Sequence, residues 1–298
     1  MRRGAKMNFP RILGPILVLG ATGRIGVMLR RVWPAGQGLW QARSSVAPAP
    51  QAGWVQFDPR SDPAALAAAA ARAEAILCLA GVTPAAAARG ADMADNIALA
   101  LAAVRAGAAA TRPVLLASSA AVYGAQGGLL SEAAPLAPIN DYGRAKAEME
   151  RRATDLGARL GVPVTALRIG NVAGADAILG GWRPGFTLDR FADGRTPRRS
   201  YIGPVTLAHV LADLATRAAG AGDLPGTLNI AAPGVVEMGA LLDAAGLAWV
   251  PRPAPVAAIP EVALDVTALA RLVPLDPAAG RAQNMVAEGR NLAQNPKP

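Results

Sequence analysis

Apolar residues follow two alternating patterns along the chain. PILVLG (15–20), AILCLAG (75–81), PVLLASSA (113–120) and VPVTALRIGN (162–171) are short runs dominated by apolar residues, with the length of buried strands. Between them, RIGVMLRRVW (24–33), SDPAALAAAAARAE (61–74), ADMADNIALALAAVRAGAAA (91–110) and TLAHVLADLATRAA (206–219) read as helices. GLWQARS (38–44), WVQFD (54–58) and GTLNIAAPG (226–234) add three strands, and INDYGRAKAEMER (139–151) opens a further helix. Ser61 or Asp62, and Thr83, stand where N-caps belong, each before a proline suited to a first turn. Strands that are apolar throughout, alternating with helices, predict an α/β fold: a doubly wound parallel sheet covered on both faces. The rhythm holds over 12–172 and 205–233. It breaks over 173–204 and 234–298, where VPRPAPVAAIP is typical, and these pieces are expected to form a small discontinuous lobe over the sheet's carboxyl edge.

Composition narrows the classes. With 298 residues, 52% hydrophobic and 17% charged, the chain can bury a large core. Its one cysteine, Cys78, excludes an intrachain disulfide and a cysteine-rich metal site, and lies in an apolar strand as a small core residue. The net charge of +9 raises the question of nucleic acid. However, the basic residues are nearly all dispersed arginines, with lysine only at 6, 146 and 297, and aromatics are 4%. No basic cluster is interleaved with aromatics, which argues against a nucleic-acid partner. The apolar part of MRRGAKMNFPRILGPILVLG runs directly into a glycine loop, unlike a cleaved leader, and no apolar run reaches the roughly 18 residues of a membrane span. The expectation is a cytoplasmic protein without a membrane partner.

VLGATGRIG carries Gly20, Gly23 and Gly26 at the first strand-to-helix turn. Glycines there let the backbone approach a pyrophosphate, which meets free N–H groups and the positive end of the helix dipole. Gly20, Thr22, Gly23, Arg24, Ile25 and Gly26 are therefore candidate dinucleotide contacts. An acidic residue after the second strand would accept a ribose 2′-OH; QARSS offers Arg43 and Ser44 instead, a pair better suited to a 2′-phosphate. NADP is thus preferred over NAD. Asp58, ending VQFD, is a candidate for the adenine amino group or, alternatively, a carboxylate leading the next helix.

With SSAAVYG (118–124), YGRAK (142–146) and LRIGNVAG (167–174) in order behind the glycine loop, the chain resembles the extended short-chain dehydrogenase/reductase family of epimerases, dehydratases and related reductases. The resemblance covers roughly 16–232 and implies a Rossmann-like domain and a Ser-Tyr-Lys mechanism. By position it implies Ser119 rather than Ser118, with Tyr142 and Lys146, as catalytic residues. It adds Leu79, Ala80, Gly81, Asn96 and Lys146 as cofactor contacts, Arg168 and Asn171 near cofactor or substrate, and an arginine such as Arg199 at the substrate. Two departures stand out: the missing acid after strand two, and Thr206 where many members carry an Asp pair before the late helix. Thr206 is expected to cap that helix instead.

The chemistry fits the residue types. A tyrosine hydroxyl, with a reference pKa of about 10, needs help to act as a base near neutrality, and an ammonium one helical turn away favours the tyrosinate. The serine would hydrogen-bond the substrate oxygen. In so arginine-rich a chain, the only internal lysine occupies this position. The expected protein is an NAD(P)-dependent oxidoreductase or epimerase acting on a hydroxyl or carbonyl carbon of a nucleotide sugar or small carbonyl compound. The alternative is a non-catalytic NADP-sensing binding protein of the same fold. No metal is called for, His209 reads as an ordinary helical histidine, and a homodimer is allowed.

Overall fold

The computed structural model describes residues 14–43, 52–220 and 222–294. From the amino end the chain forms β1 (Ile16–Leu19), α1 (Arg24–Val32), β2 (Gly38–Ala42), β3 (Trp54–Gln56), α2 (Pro63–Ala71), β4 (Ala75–Cys78), the short α3 (Pro84–Ala87), α4 (Asp95–Ala110) and β5 (Val114–Ser119). A 3-10 turn (Ala120–Tyr123) leads to β6 (Gly128–Leu130), α5 (Asp141–Leu160), β7 (Val164–Ile169), β8 (Asn171–Val172), β9 (Thr187–Arg190), β10 (Arg198–Arg199), β11 (Tyr201–Ile202) and α6 (Pro204–Ala219). The remainder comprises β12 (Thr227–Ile230), β13 (Val236–Glu237), α7 (Met238–Ala245), β14 (Val250–Pro253), β15 (Glu261–Leu264), α8 (Thr267–Leu272) and α9 (Ala282–Gln294).

Seven strands form one parallel sheet in the order β12-β7-β5-β4-β1-β2-β3. In β1, Ile16 and Val18 join one core, with α6 and Trp33, while Leu17 and Leu19 join the other, with residues of α2 and α4. All four side chains are fully buried, so both faces demand apolar residues and no polar alternation survives. Sequence signals fix the local ends. Asp62 accepts the Ala65 N–H at 2.9 Å ahead of Pro63, Thr83 accepts that of Ala86 at 3.3 Å ahead of Pro84, and Asn140 caps α5 through Gly143 N–H at 2.8 Å.

Two expectations fail here for reasons of long-range packing. Residues 234–298 do not stay together in a small lobe. Leu241, Leu269, Ala282, Met285 and Val286, from α7, α8 and α9, pack in the same core as Ile16 and Val18. The segment 250–264 instead supplies minor strands: β14 pairs with β9, and β15 pairs with β10 and β6. Nor does Thr206 cap α6. The N-cap position is Gly203, and the cap comes from Glu288 on α9, which accepts the N–H groups of Val205 and Thr206 at 2.9 Å and also the Thr206 hydroxyl. The absent local carboxylate is thus replaced by one more than eighty residues away. Among the described residues, no helix is long and apolar enough to cross a membrane.

Candidate active site

The carboxyl ends of β1, β2 and β4 enclose a cleft of about 290 Å³. Gly20, at φ +83°, admits no side chain: a Cβ there would stand 2.7 Å from Ala80 N. At Gly26 a Cβ would fall 2.6 Å from Gly20 O, so this glycine lets α1 press on the loop. α1 has neither a side-chain cap nor an acidic residue in its first turn, which leaves the positive end of its dipole facing the loop. Of the expected cofactor residues, Gly20, Thr22, Gly23, Arg43, Asp58, Leu79, Ala80 and Gly81 line the cleft. Ser44 lies outside the described residues. Ile25 and Gly26 do not line the cleft but stand behind its glycine loop, at the start of α1. A cradle that glycines keep open beside an uncapped helix end fits a dinucleotide.

Several expected contacts have other duties. Asn96 is buried beneath the loop that follows β4. Its carboxamide oxygen accepts Val82 N–H at 3.1 Å, and its amide donates to Val82 O at 3.1 Å and Met93 O at 3.2 Å. It shapes that loop rather than offering its amide to a ligand. Arg24 swings out of the glycine loop to donate to Ala175 O at 2.9 Å, joining the loop to the segment after β8. Asp58 lies at the cleft and does not cap the next helix, whose N-cap is Asp62. It accepts the Arg60 N–H at 2.9 Å, a bond that holds its carboxyl below the usual range. Gln41 was not singled out from sequence, yet it accepts Gly20 N–H at 3.0 Å and donates to Phe57 O at 2.7 Å, pinning the glycine loop from β2. A glutamine inside an apolar strand was the available signal.

Beside the cleft, α5 faces the end of β5. Ser119 accepts the Ala121 N–H at 3.2 Å, and its hydroxyl stands close enough to that of Tyr142 to oppose the rise of its pKa. Lys146 is buried, donates to Ala117 O at 2.8 Å, and holds its ammonium 5.9 Å from the centre of the Tyr142 ring. A Cβ on Gly81 would lie 3.2 Å from the Lys146 nitrogen, so the lysine stands directly behind the cofactor loop. Burial pushes the Lys146 ammonium down to about 8 and the neighbouring Cys78 thiol up to about 11. Burial also raises the Tyr142 hydroxyl, outweighing the opposing effect of the Ser119 hydroxyl.

On the substrate side, Asn171 is half-buried on β8, its N–H donating to Ser200 O at 3.0 Å. Arg199 is spent internally: its guanidinium donates to the carbonyls of Arg198 at 2.7 Å, Ile259 at 2.9 Å and Pro260 at 3.4 Å. It anchors the 259–260 segment instead of reaching for an anion. Arg168 is likewise internal, paired with Glu150 at 2.8 Å in a buried bridge. A wider groove, about 670 Å³, lies between Arg190–Ala192 and Pro251–Pro260 and contains none of the expected site residues. His209 is buried in α6, its pKa lowered by desolvation.

A doubly wound sheet with a glycine-lined cleft at its carboxyl edge defines a dinucleotide-binding protein. Residues 16–184 match the model of the NAD dependent epimerase/dehydratase family, and the chain belongs to that family. A UDP-glucose 4-epimerase of Azospirillum brasilense is 47% identical over 64 residues, 21% of this chain and 18% of that protein. The matched stretch therefore spans less than a fifth of that relative's length. Among solved structures, the UDP-Glc/GlcNAc 4-epimerase of Campylobacter jejuni superposes with TM-score 0.74 at 18% identity, covering 94% of this chain and 99% of that one. UDP-glucose-4-epimerase from Stenotrophomonas maltophila, solved with NAD and formylated UDP-arabinopyranose, gives 0.73 at 18% identity over 94% and 99%. UDP-glucose 4-epimerase from Brucella ovis, in complex with NAD, gives 0.71 at 19% identity over 92% and 96%. At these identities the likeness establishes the fold.

Proposed function

We propose that this protein is a nicotinamide-dependent oxidoreductase or epimerase that works on a hydroxyl or carbonyl carbon through Ser119, Tyr142 and Lys146. One observation carries the reading: the three side chains meet at the end of β5, with Lys146 directly behind the Gly81 loop of the cleft. When bound, the nicotinamide supplies hydride chemistry at carbon. Tyr142 handles the proton at the substrate oxygen, Ser119 donates a hydrogen bond to that oxygen, and Lys146 holds the ribose edge and supplies positive charge one helical turn from the tyrosine. Gly20, Gly23 and the start of α1 hold the diphosphate, with Asp58 at the adenine end. The intact triad speaks against a purely sensing role.

The substrate we infer is a nucleotide sugar, as named for the relatives in Azospirillum brasilense and Campylobacter jejuni, with small carbonyl compounds as the other class. It would meet the triad beneath 173–204 and the minor strands, with Asn171 at its edge. For the cofactor we infer NADP over NAD. Arg43 lines the cleft at the end of β2, and Gln41 and Ala42 supply no carboxylate there. The Stenotrophomonas maltophila and Brucella ovis proteins bind NAD, so the affinities for NADPH and NADH must be compared directly. Tighter NADH binding would overturn the preference. For the activity, purified protein is incubated with nucleotide sugars and small carbonyls, following nicotinamide absorbance and analysing products by chromatography, because epimerisation leaves no net redox change. Conversion of at least one compound is expected. Binding of neither dinucleotide, with no conversion across both classes, would overturn the reading.

A further inference from the structure

Tyr142, Lys146 and Glu150 stand at intervals of four on one stripe of α5, and each engages one of three consecutive residues ending β5. The Tyr142 hydroxyl faces that of Ser119, Lys146 donates to Ala117 O, and Glu150 accepts the Ser118 hydroxyl. The third rung continues outward. Both carboxylate oxygens of Glu150 accept from Arg168 on β7, at 3.1 and 3.2 Å from Nε and 2.8 Å from Nη2. Nη1 of Arg168 donates to the Tyr123 hydroxyl at 3.0 Å and to Glu132 O at 2.9 Å. Tyr123 in turn donates to Asn229 on β12 at 2.7 Å, and the Glu132 carboxylate accepts the Asn229 N–H at 2.9 Å. Glu150 and Arg168 are both buried, and removing either would strand the other's charge.

We propose that Glu150 and Arg168 are positioning residues for the Tyr142–Lys146 pair, locking α5 against the end of β5 and balancing the charge that reaches the tyrosine. The proposal rests on the catalytic reading above. Cys78 from β4 faces the stripe beside Lys146, and Tyr123 and Glu132 lie behind Arg168. A merely structural brace would tie the elements together without a signed electrostatic effect. A charge-balanced one makes the two partners act in opposite directions. Glu150→Gln leaves the Arg168 cation uncompensated and favours tyrosinate; Arg168→Gln leaves the Glu150 anion and disfavours it.

The chain has only three tyrosines, and burial raises the hydroxyls of all three, so the Tyr142 signal is isolated by difference in ultraviolet titration of tyrosinate. Each protein is titrated beside its own Tyr142→Phe counterpart and the difference is taken. Glu150→Gln is expected to lower the Tyr142 midpoint, and Arg168→Gln to raise it. Each shift should be about half to one pH unit, the size set by a unit charge two helical turns, about 12 Å, away. Midpoints unmoved, or moved the same way by both, would overturn the proposal. If one variant fails to fold by circular dichroism, the sign in the other decides. Failure of both to fold would reduce the pair to structural support, and also overturns it. Turnover by Tyr142→Phe would remove the catalytic centre itself, whereas an inactive Tyr142→Phe with unmoved midpoints removes only the role of Glu150 and Arg168.

Discussion

Lys146 carries a cost that can be measured without knowing the substrate. Its ammonium is almost wholly buried, and desolvation takes its pKa from 10.5 to about 8. A fall of about 2.5 pH units corresponds to roughly 3 kcal/mol against the folded state at neutral pH. The bond to Ala117 O offsets about 1–1.5 kcal/mol of this. Lys146→Met fills the same volume without charge, so at pH 7 it is expected to stabilise the protein by about 1–2 kcal/mol. The sign of the pH dependence follows from the lowered value. The unfolded chain keeps the lysine proton up to 10.5 whereas the folded chain loses it near 8, so the penalty is full below pH 8 and fades as pH climbs towards 10.5. Urea unfolding of wild type and Lys146→Met at pH 7, 8.5 and 10 reads this directly. The variant's advantage should shrink with rising pH and then reverse, because the Ala117 bond is still missing. A variant less stable at pH 7, or a difference flat across the series, would refute the reasoning.

Other expectations are simpler. Gly20→Ala places a Cβ 2.7 Å from Ala80 N at φ +83°, and should cost about 1–3 kcal/mol together with dinucleotide affinity, read by thermal shift with and without NADPH. Glu288→Ala removes the cap of α6 and should cost about 1–2 kcal/mol in urea unfolding. An unchanged midpoint would mean that water replaces the carboxylate. Arg24→Ala cuts the link to Ala175 O, and should raise proteolytic cleavage within 173–181 while leaving the unfolding midpoint within about 0.5 kcal/mol of wild type.

What was legible in the sequence was local or periodic. Asp62 and Thr83 cap the helices they precede because each lies three residues from the N–H it accepts. The glycine loop could be located because the apolar run of β1 ends in it and α1 begins five residues after Leu19. What escaped depends on elements distant in sequence. Glu288 caps α6 only because α9 packs beside that helix, and the amphipathic pattern of 282–294 does not say which partner it covers. The resemblance points to Arg199 as a substrate contact, but carbonyls of residues 259 and 260 claim its guanidinium once β15 pairs with β10. Glu150 falls four residues after Lys146 on the buried stripe of α5, a spacing visible in sequence. Its meaning emerges only when β7 brings Arg168 alongside.

The central claim is that Tyr142 handles the proton in a working enzyme. Its most direct test pairs two readings on Tyr142→Phe: NADPH and NADH affinity by titration calorimetry, and conversion of UDP-sugars or carbonyls accepted by the wild type. Dinucleotide affinity within about twofold of wild type, with turnover reduced at least a hundredfold, is the predicted outcome. Turnover at the wild-type level would contradict it.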